Sequence, residues 1–228
     1  MKTTNFTIFA ASLLLLSSCS NNQMADQKIE EWVKKNPDKI LTALMEHQKK
    51  DQEKNSPNPE LLKTHASAVF DQNAPTQGSG PIKIAYFFDF NCGHCVKQSS
   101  TIKSLFEKIP QKVQIIYHPM AVLGPSSELA ARASFAAHKQ GRFYDFYVKT
   151  LETREKSPES LKKIAKDLKL DVSKWESDLE GDETKKWMAS KEELAANMKI
   201  RGTPFLAIAP DKVFPGRVDA LQSIVEGM

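Results

Sequence analysis

The sequence predicts an α/β fold with a central sheet, a helical insertion and a helical N-terminal segment, and three observations carry that prediction. The first is the apolar run Ile84-Ala85-Tyr86-Phe87-Phe88-Asp89-Phe90, nearly continuous as a strand covered on both faces should be. The second is the helical period after it, with Ile102, Leu105, Phe106 and Ile109 at i, i+3, i+4 and i+7. The third is a late hairpin pattern: Phe205 to Ile208, a turn at Pro210-Asp211, and a return through Val213-Phe214.

The 228 residues suffice for one ordinary domain plus extra segments, and 40% apolar with 26% charged residues is the composition of a soluble globular chain. A net charge of +4 is mild. No clustered Lys/Arg stripe with interleaved aromatics occurs, so nucleic acid is not an expected partner.

Residues 1–18 read as a targeting segment. Lys2 is their only charge, and the apolar core from Phe6 to Leu16 is too short to span a bilayer, which takes about 20 residues. The segment ends in Leu16-Ser17-Ser18-Cys19, which resembles the bacterial lipoprotein signal. That resemblance implies Cys19 as the lipid-bearing first residue of the mature chain. Ser20 in place of Asp after it implies the outer rather than the inner membrane. An ordinary secretory signal with an incidental Cys is the alternative. Either one places the chain outside the cytoplasm, where disulfides form and persist.

Residues 19–71 read as a tether followed by a helical oligomerisation segment. Ser20 to Gln23 are short and polar, and Ile29, Trp32 and Val33 mark a first helix. Asn36 suits an N-cap and Pro37 the first position of a second helix, through Ile40, Leu41, Leu44 and Met45. Lys49 to Pro59 reads as a hinge, and Leu61, Leu62, His65, Ala66, Val69 and Phe70 as a third amphipathic piece. These stripes are too short to bury themselves. They need another copy of the chain, which makes a homodimer the expected state, or the chain's own larger domain.

Residues 72–228 form that domain. Residues 71–81 read as a loop, 82–90 as the first central strand and Val113 to Tyr117 as the second. A helical insertion over about 124–197 includes Leu129 to Leu151, a helix opening at Ser157-Pro158, and short helices around Trp175 and from Asp182 to Asn197. The hairpin and a final helix around Leu221, Ile224 and Val225 close the chain.

The chemistry is concentrated in Cys92-Gly93-His94-Cys95, at the end of the first strand and the start of a helix. Two thiols at this spacing lie near each other across a first helical turn. The unpaired N–H groups and dipole of a helix N-terminus favour a thiolate, lowering a cysteine from about 8.5 to roughly 3.5–7. The predicted chemistry is thiol–disulfide exchange. The chain has three Cys. With Cys19 lipidated, only Cys92 and Cys95 remain, leaving no structural disulfide framework.

The segment Phe87-Phe88-Asp89-Phe90-Asn91-Cys92-Gly93-His94-Cys95, the helical insertion, and Gly202-Thr203-Pro204-Phe205 together resemble the DsbA-like periplasmic thiol–disulfide oxidoreductases, over about residues 82–226. The resemblance implies a thioredoxin-like fold. Its N-terminal helices resemble the oligomerisation segment of lipid-anchored or outer-membrane members. By the same resemblance, Cys92 is the nucleophile, Cys95 the resolving thiol of a redox-active pair, and His94 a charge that supports the Cys92 thiolate. Gly93 leaves substrate approach open. Thr203 and a cis Pro204 present backbone to substrate and keep metal from the thiols.

Three departures mark this chain. Gly-His between the cysteines is the dipeptide of eukaryotic protein disulfide isomerases, and Thr203 resembles the dimeric isomerases. Tyr86 stands where many relatives place a buried acid, which leaves the relay of the Cys95 proton open, with Asp89 as a speculative substitute. The first two point to a potential nearer −180 mV than −120 mV, a difference of about 2.8 kcal/mol. The implied partners are exported proteins with thiols or disulfides, a membrane redox partner, and the membrane itself through the lipid. No cofactor or resident metal is implied. Oxidase and isomerase remain alternatives. So do a metal-delivery lipoprotein using the same thiols and a structural envelope lipoprotein. The remaining histidines, His47, His65, His118 and His138, read as surface or packing residues. Trp32, Trp175 and Trp187 read as core or interface.

Overall fold

The computed structural model describes residues 19–228, with side chains from residue 25 onward except those of 52–55. The targeting segment 1–18 and the side chain of Cys19 lie outside the described residues. The chain divides into two compact units between Lys54 and Asn55.

The first unit contains helices α1 (Cys19–Lys35) and α2 (Pro37–Asn55). The expected tether at 20–23 is therefore helical. So is most of the expected hinge: α2 continues to Asn55 because 46–55 is polar and charged but contains neither Gly nor Pro. Asn36 holds the expected position before Pro37 and accepts from Ile40 N at 3.3 Å, while its side-chain Nδ2 donates back to Trp32 O at 2.8 Å. Ion pairs such as Lys34–Glu30 are exposed and contribute little. Within this unit Ile29, Trp32, Val33, Leu41, Leu44 and Met45 are all exposed.

The second unit begins before the expected boundary at residue 72. Helices α3 (Pro59–Thr64) and α4 (Ala66–Val69) belong to it. Asn58 caps α3 by accepting from Leu61 N at 3.0 Å, with Pro59 at the first helical position. Leu62 and Val69 are fully buried. The third amphipathic piece therefore finds its cover within the larger unit.

The sheet has five strands in the order β1-β3-β2-β4-β5: β1 (Thr76–Gln77), β2 (Ile82–Phe88), β3 (Val113–Pro119), β4 (Phe205–Ile208) and β5 (Lys212–Pro215). β2 and β3 are parallel, with Ile82 opposite Val113 and Phe88 opposite Pro119. β4 runs antiparallel to β2 and forms a hairpin with β5. The short β1, within the expected loop, pairs antiparallel with β3. Gly80 allows this return: a Cβ there would lie 2.1 Å from Lys112 C and Val113 N.

Side-chain alternation along the central strand gives the sheet two buried faces. Ile84, Tyr86 and Phe88 pack with α5 (Gly93–Lys108), α6 (Pro125–His138), α7 (Phe143–Glu152), α8 (Pro158–Asp167), α9 (Val172–Glu180) and α11 (Leu221–Glu226). Ala85 and Phe87 pack instead with Leu62, Val69 and Phe205, and with Leu194 and Met198 at the end of α10 (Asp182–Asn197). The expected helical stretch Leu129 to Leu151 is two helices, α6 from Pro125 and α7 from Phe143, while α8 and α10 start at the expected Pro158 and Asp182. Ser157 caps α8 by accepting from Ser160 N, and Trp175 donates its Nε1–H to Ala133 O. His118, at 0% exposure, is the packing residue expected: it stacks on Phe87 with centroids 4.5 Å apart, and Nε2 lies 2.8 Å from Val69 O.

Because Leu62 fills the second face from a helix of six residues, Leu62→Ala is expected to lower the unfolding free energy of the larger unit by about 2–5 kcal/mol. Urea unfolding followed by tryptophan fluorescence measures it. A change below about 0.5 kcal/mol would show that α3 merely rests on the surface.

Candidate active site

The site lies where the C-terminal end of β2 meets the start of β4. Cys92 is the N-cap residue of α5 and is 8% exposed, while Cys95, in the first turn, is 0% exposed. Both are free thiols. The backbone turns tightly here: Cys95 N donates to Cys92 O at 2.9 Å. One thiol thus keeps a small exposed surface, and the other lies fully buried behind it.

The loop before β4 completes the site from 111 residues away. The Thr203-Pro204 bond is cis, and Cys92 Sγ donates to Thr203 O at 3.3 Å. The Thr203 side chain interacts with the Cys95 sulfur and favours its ionised form. Thr203 therefore meets the Cys92 sulfur through its carbonyl. Burial is the larger influence and pushes the Cys95 thiol up to about 12 from its ordinary 9.0. Cys92 makes no side-chain capping bond, so its sulfur faces the Thr203 carbonyl and not a helix amide. Gly93 and His94 are exposed at the rim. A Cβ at Gly93 would meet nothing within 4 Å, which leaves the approach to Cys92 open.

Asp89, the speculative substitute acid, is engaged in the loop before the cysteines. Its buried carboxylate accepts four hydrogen bonds, from Asn91 N at 2.7 Å, Ser127 Oγ at 2.7 Å, Val122 N at 2.9 Å and Leu123 N at 3.0 Å. It clasps the loop before the cysteines to the start of α6. Asn91 extends the clasp by donating Nδ2 to Ser126 Oγ and Ser127 Oγ, both at 2.9 Å. Behind α5, Gln98 binds the main chain of Val218 twice, donating to its O at 3.3 Å and accepting from its N at 2.7 Å.

The group that does reach Cys95 is Tyr86, whose hydroxyl donates to Cys95 O at 3.0 Å. Tyr147 lies beside it on α7, fully enclosed and with no hydrogen-bond partner for its hydroxyl among the described residues. Asn91, Gln98, Ser127 and Tyr147 were not identifiable from the sequence, since a polar residue in an amphipathic helix does not reveal which distant main-chain group it will meet. Among the described residues no group of three or more His, Cys, Asp and Glu stands close enough together to hold a metal ion. No described helix is long and apolar enough to cross a membrane.

The family model for the DSBA-like thioredoxin domain matches residues 83–226. A curated relative named as a probable disulfide bond formation protein D, from Bacillus anthracis, is 26% identical over 172 residues, covering 70% of this chain and 79% of its own. The thiol-disulfide exchange protein alpha-DsbA2 from Wolbachia pipientis is 25% identical with a TM-score of 0.69, over 74% of this chain and 94% of that one. A thioredoxin-like oxidoreductase from Silicibacter pomeroyi is 28% identical with a TM-score of 0.64, over 71% and 93%.

A raised Cys95 thiol makes the reduced fold pH-sensitive. The neutral form is favoured in the folded state, so its contribution to stability is complete below the unfolded value near 9.0 and is lost as pH rises toward about 12. Reduced wild type is expected to lose unfolding free energy relative to Cys95→Ala across that window, at up to about 1.4 kcal/mol per pH unit. Urea unfolding under reductant at stepped pH measures it, and a pH-independent difference would contradict the burial of this thiol.

Proposed function

Since the chain belongs to the family of DSBA-like thioredoxin domains, we propose that it forms and isomerises disulfide bonds in exported proteins through Cys92 and Cys95. The observation that carries this reading is the pairing of a sulfur that keeps a small exposed surface with a buried one against the Thr203-Pro204 loop. Cys92 exchanges with the substrate sulfur and holds it as a mixed disulfide. Cys95 then attacks Cys92, and the substrate thiolate leaves with the electron pair. Run in reverse, the same steps donate a disulfide. Thr203 positions the Cys92 sulfur, Gly93 keeps the approach clear, and His94 at the rim supplies positive charge when protonated.

The working location in this reading is the periplasm, with Cys19 as a lipid anchor in the outer membrane and a membrane redox partner resetting the pair. The exposed stripe of Ile29, Trp32, Val33, Leu41, Leu44 and Met45 supports self-association, and a homodimer supports isomerisation by holding two active sites around one substrate. The metal-delivery alternative has no observation in its favour, because no third ligand joins the two thiols among the described residues.

Two measurements test the reading. Incubation with a scrambled multi-disulfide protein should restore native pairing, Cys92→Ala should abolish recovery, and Cys95→Ala should accumulate a mixed disulfide. Failure of the wild type to restore any native pairing while still oxidising a dithiol peptide would leave an oxidase alone. Sedimentation of the mature chain should give a dimer, and deletion of residues 24–54 a monomer with at least about tenfold less isomerase activity. A monomeric full chain would remove the assembly from the mechanism.

A further inference from the structure

Between the start of α6 and the start of α8 lies an open hollow of about 460 Å³, lined by Asn91, Ser126, Arg154, Glu155, Lys156 and Ser157 among others. Asn91 immediately precedes Cys92, so one wall of the hollow stands a single Cα step, about 3.8 Å, from the residue that meets substrate. The opposite wall is the segment 153–157 between α7 and α8, and it carries two cations. Lys156 is only 7% exposed, and its ammonium donates to Thr153 O alone among the described residues. An ammonium has three donors, and a nearly enclosed one that uses a single donor keeps a desolvation cost. No carboxylate among the described residues pairs with it. Asp89 acts on it only from a distance, since all four of its hydrogen bonds come from other groups.

Arg154 is exposed and makes no hydrogen bond or ion pair among the described residues. Its guanidinium is charged at every working pH. By contrast, Arg132, Lys139 and Arg142, along α6 and at the start of α7, each hold a carboxylate. Against the two cations stands one carboxylate in the lining, Glu155. Pro125 and Pro158 open α6 and α8 at the same hollow, so both helix dipoles add to its positive potential. Ser126 Oγ accepts from Asn91, which leaves its own O–H to donate.

We propose that this hollow is a subsite for the carboxylate of an acidic residue lying a few positions from the substrate's cysteine. Arg154 and Lys156 are its cations, and the Ser126 hydroxyl is a further donor. The proposal rests on the thiol–disulfide exchange reading and deepens it, by giving the exchange a preference among exported proteins. The bound carboxylate supplies the acceptor that Lys156 lacks. An extended chain covers about 7–10 Å in two or three residues, which is the breadth of a hollow of this volume. A Glu or Asp at that separation therefore reaches the cations while its neighbouring cysteine is joined to Cys92.

The test uses the full chain in its reduced form, with blocked peptides that carry one cysteine activated as its 2-thiopyridyl disulfide. The Cys92 thiolate attacks the peptide sulfur, forms the mixed disulfide and expels neutral thiopyridone, which is followed by absorbance. Glu is placed in turn at the three positions on either side of the cysteine and compared with Gln there. At the matching position the Glu peptide should react about fivefold to tenfold faster at low salt. That ratio should fall below twofold in about 1 M salt, where the Debye length is about 3 Å. Arg154→Glu should reverse the preference, and Lys156→Met should at least halve it. Each is read as a ratio within one variant, so a general loss of activity leaves it readable. Lys112→Glu makes the same charge change just before β3, at the end of the sheet away from the cysteines, and should keep the wild-type ratio. A ratio within twofold at every position overturns the proposal. So does a ratio kept by Arg154→Glu or by Lys156→Met, or one lost equally in Lys112→Glu. Should Lys156→Met melt too low to assay, Arg154→Glu decides alone. A wild type that releases no thiopyridone from any peptide defeats the exchange reading itself. That outcome is distinct from rapid release that ignores the charge of the peptide.

Discussion

Everything at the site depends on the contact of the Thr203 carbonyl with the Cys92 sulfur, 111 positions earlier in the chain. It is set by the sheet. β2 delivers the cysteines at its C-terminal end, and β4 begins beside that end because it pairs antiparallel with β2, with Phe205 opposite Phe87. The register is fixed because a slip of one residue would exchange the two buried faces of β2. Position of the catalytic loop is therefore a by-product of the packing of Phe87, Phe205 and their neighbours, not of local turn chemistry.

A second constraint acts on the loop between β2 and α5. Asp89 is a carboxylate with four donors in a site with no exposure, and it ties three separated stretches of backbone together. Such a clasp has a strong requirement for its partners, since an unpaired carboxylate there would carry a large desolvation cost. It holds the cysteine turn from outside while Gln98 holds α5 from behind. The first half of the active-site helix is thus held from two sides by side chains bonded to main chain.

Much of this was legible in the sequence, for identifiable reasons. The long apolar run and the thiol spacing located β2 and α5, and Ser157-Pro158 sits at a helix start because it satisfies or removes orphan donors, whereas Asn58-Pro59, read as the end of a hinge, does the same for α3. The hairpin was visible from Phe205 to Phe214. Long-range polar pairing was not legible. Asn91 meets the start of α6 and Gln98 meets Val218, and neither partner is encoded nearby. The N-terminal reading failed in a different way. A stripe such as Leu62, Val69 and Phe70 states that it must be covered but not by what, so the larger unit stood only as one of two possible covers. Tyr86 stood out as a departure, whereas nothing in the sequence singled out Tyr147 on the amphipathic α7.

The burial of Leu62 and Val69 bears on what counts as the transferable module. A recombinant exchange between related proteins, cut at the start of the first central strand, would move the sulfurs and the loop opposite them intact. It would strip α3 and α4 from Ala85, Phe87 and Phe205 and leave only the end of α10 on that face. The heritable unit of this enzyme is therefore longer at its front than its chemistry requires, and grafts that respect only the chemistry would expose an apolar sheet face to solvent.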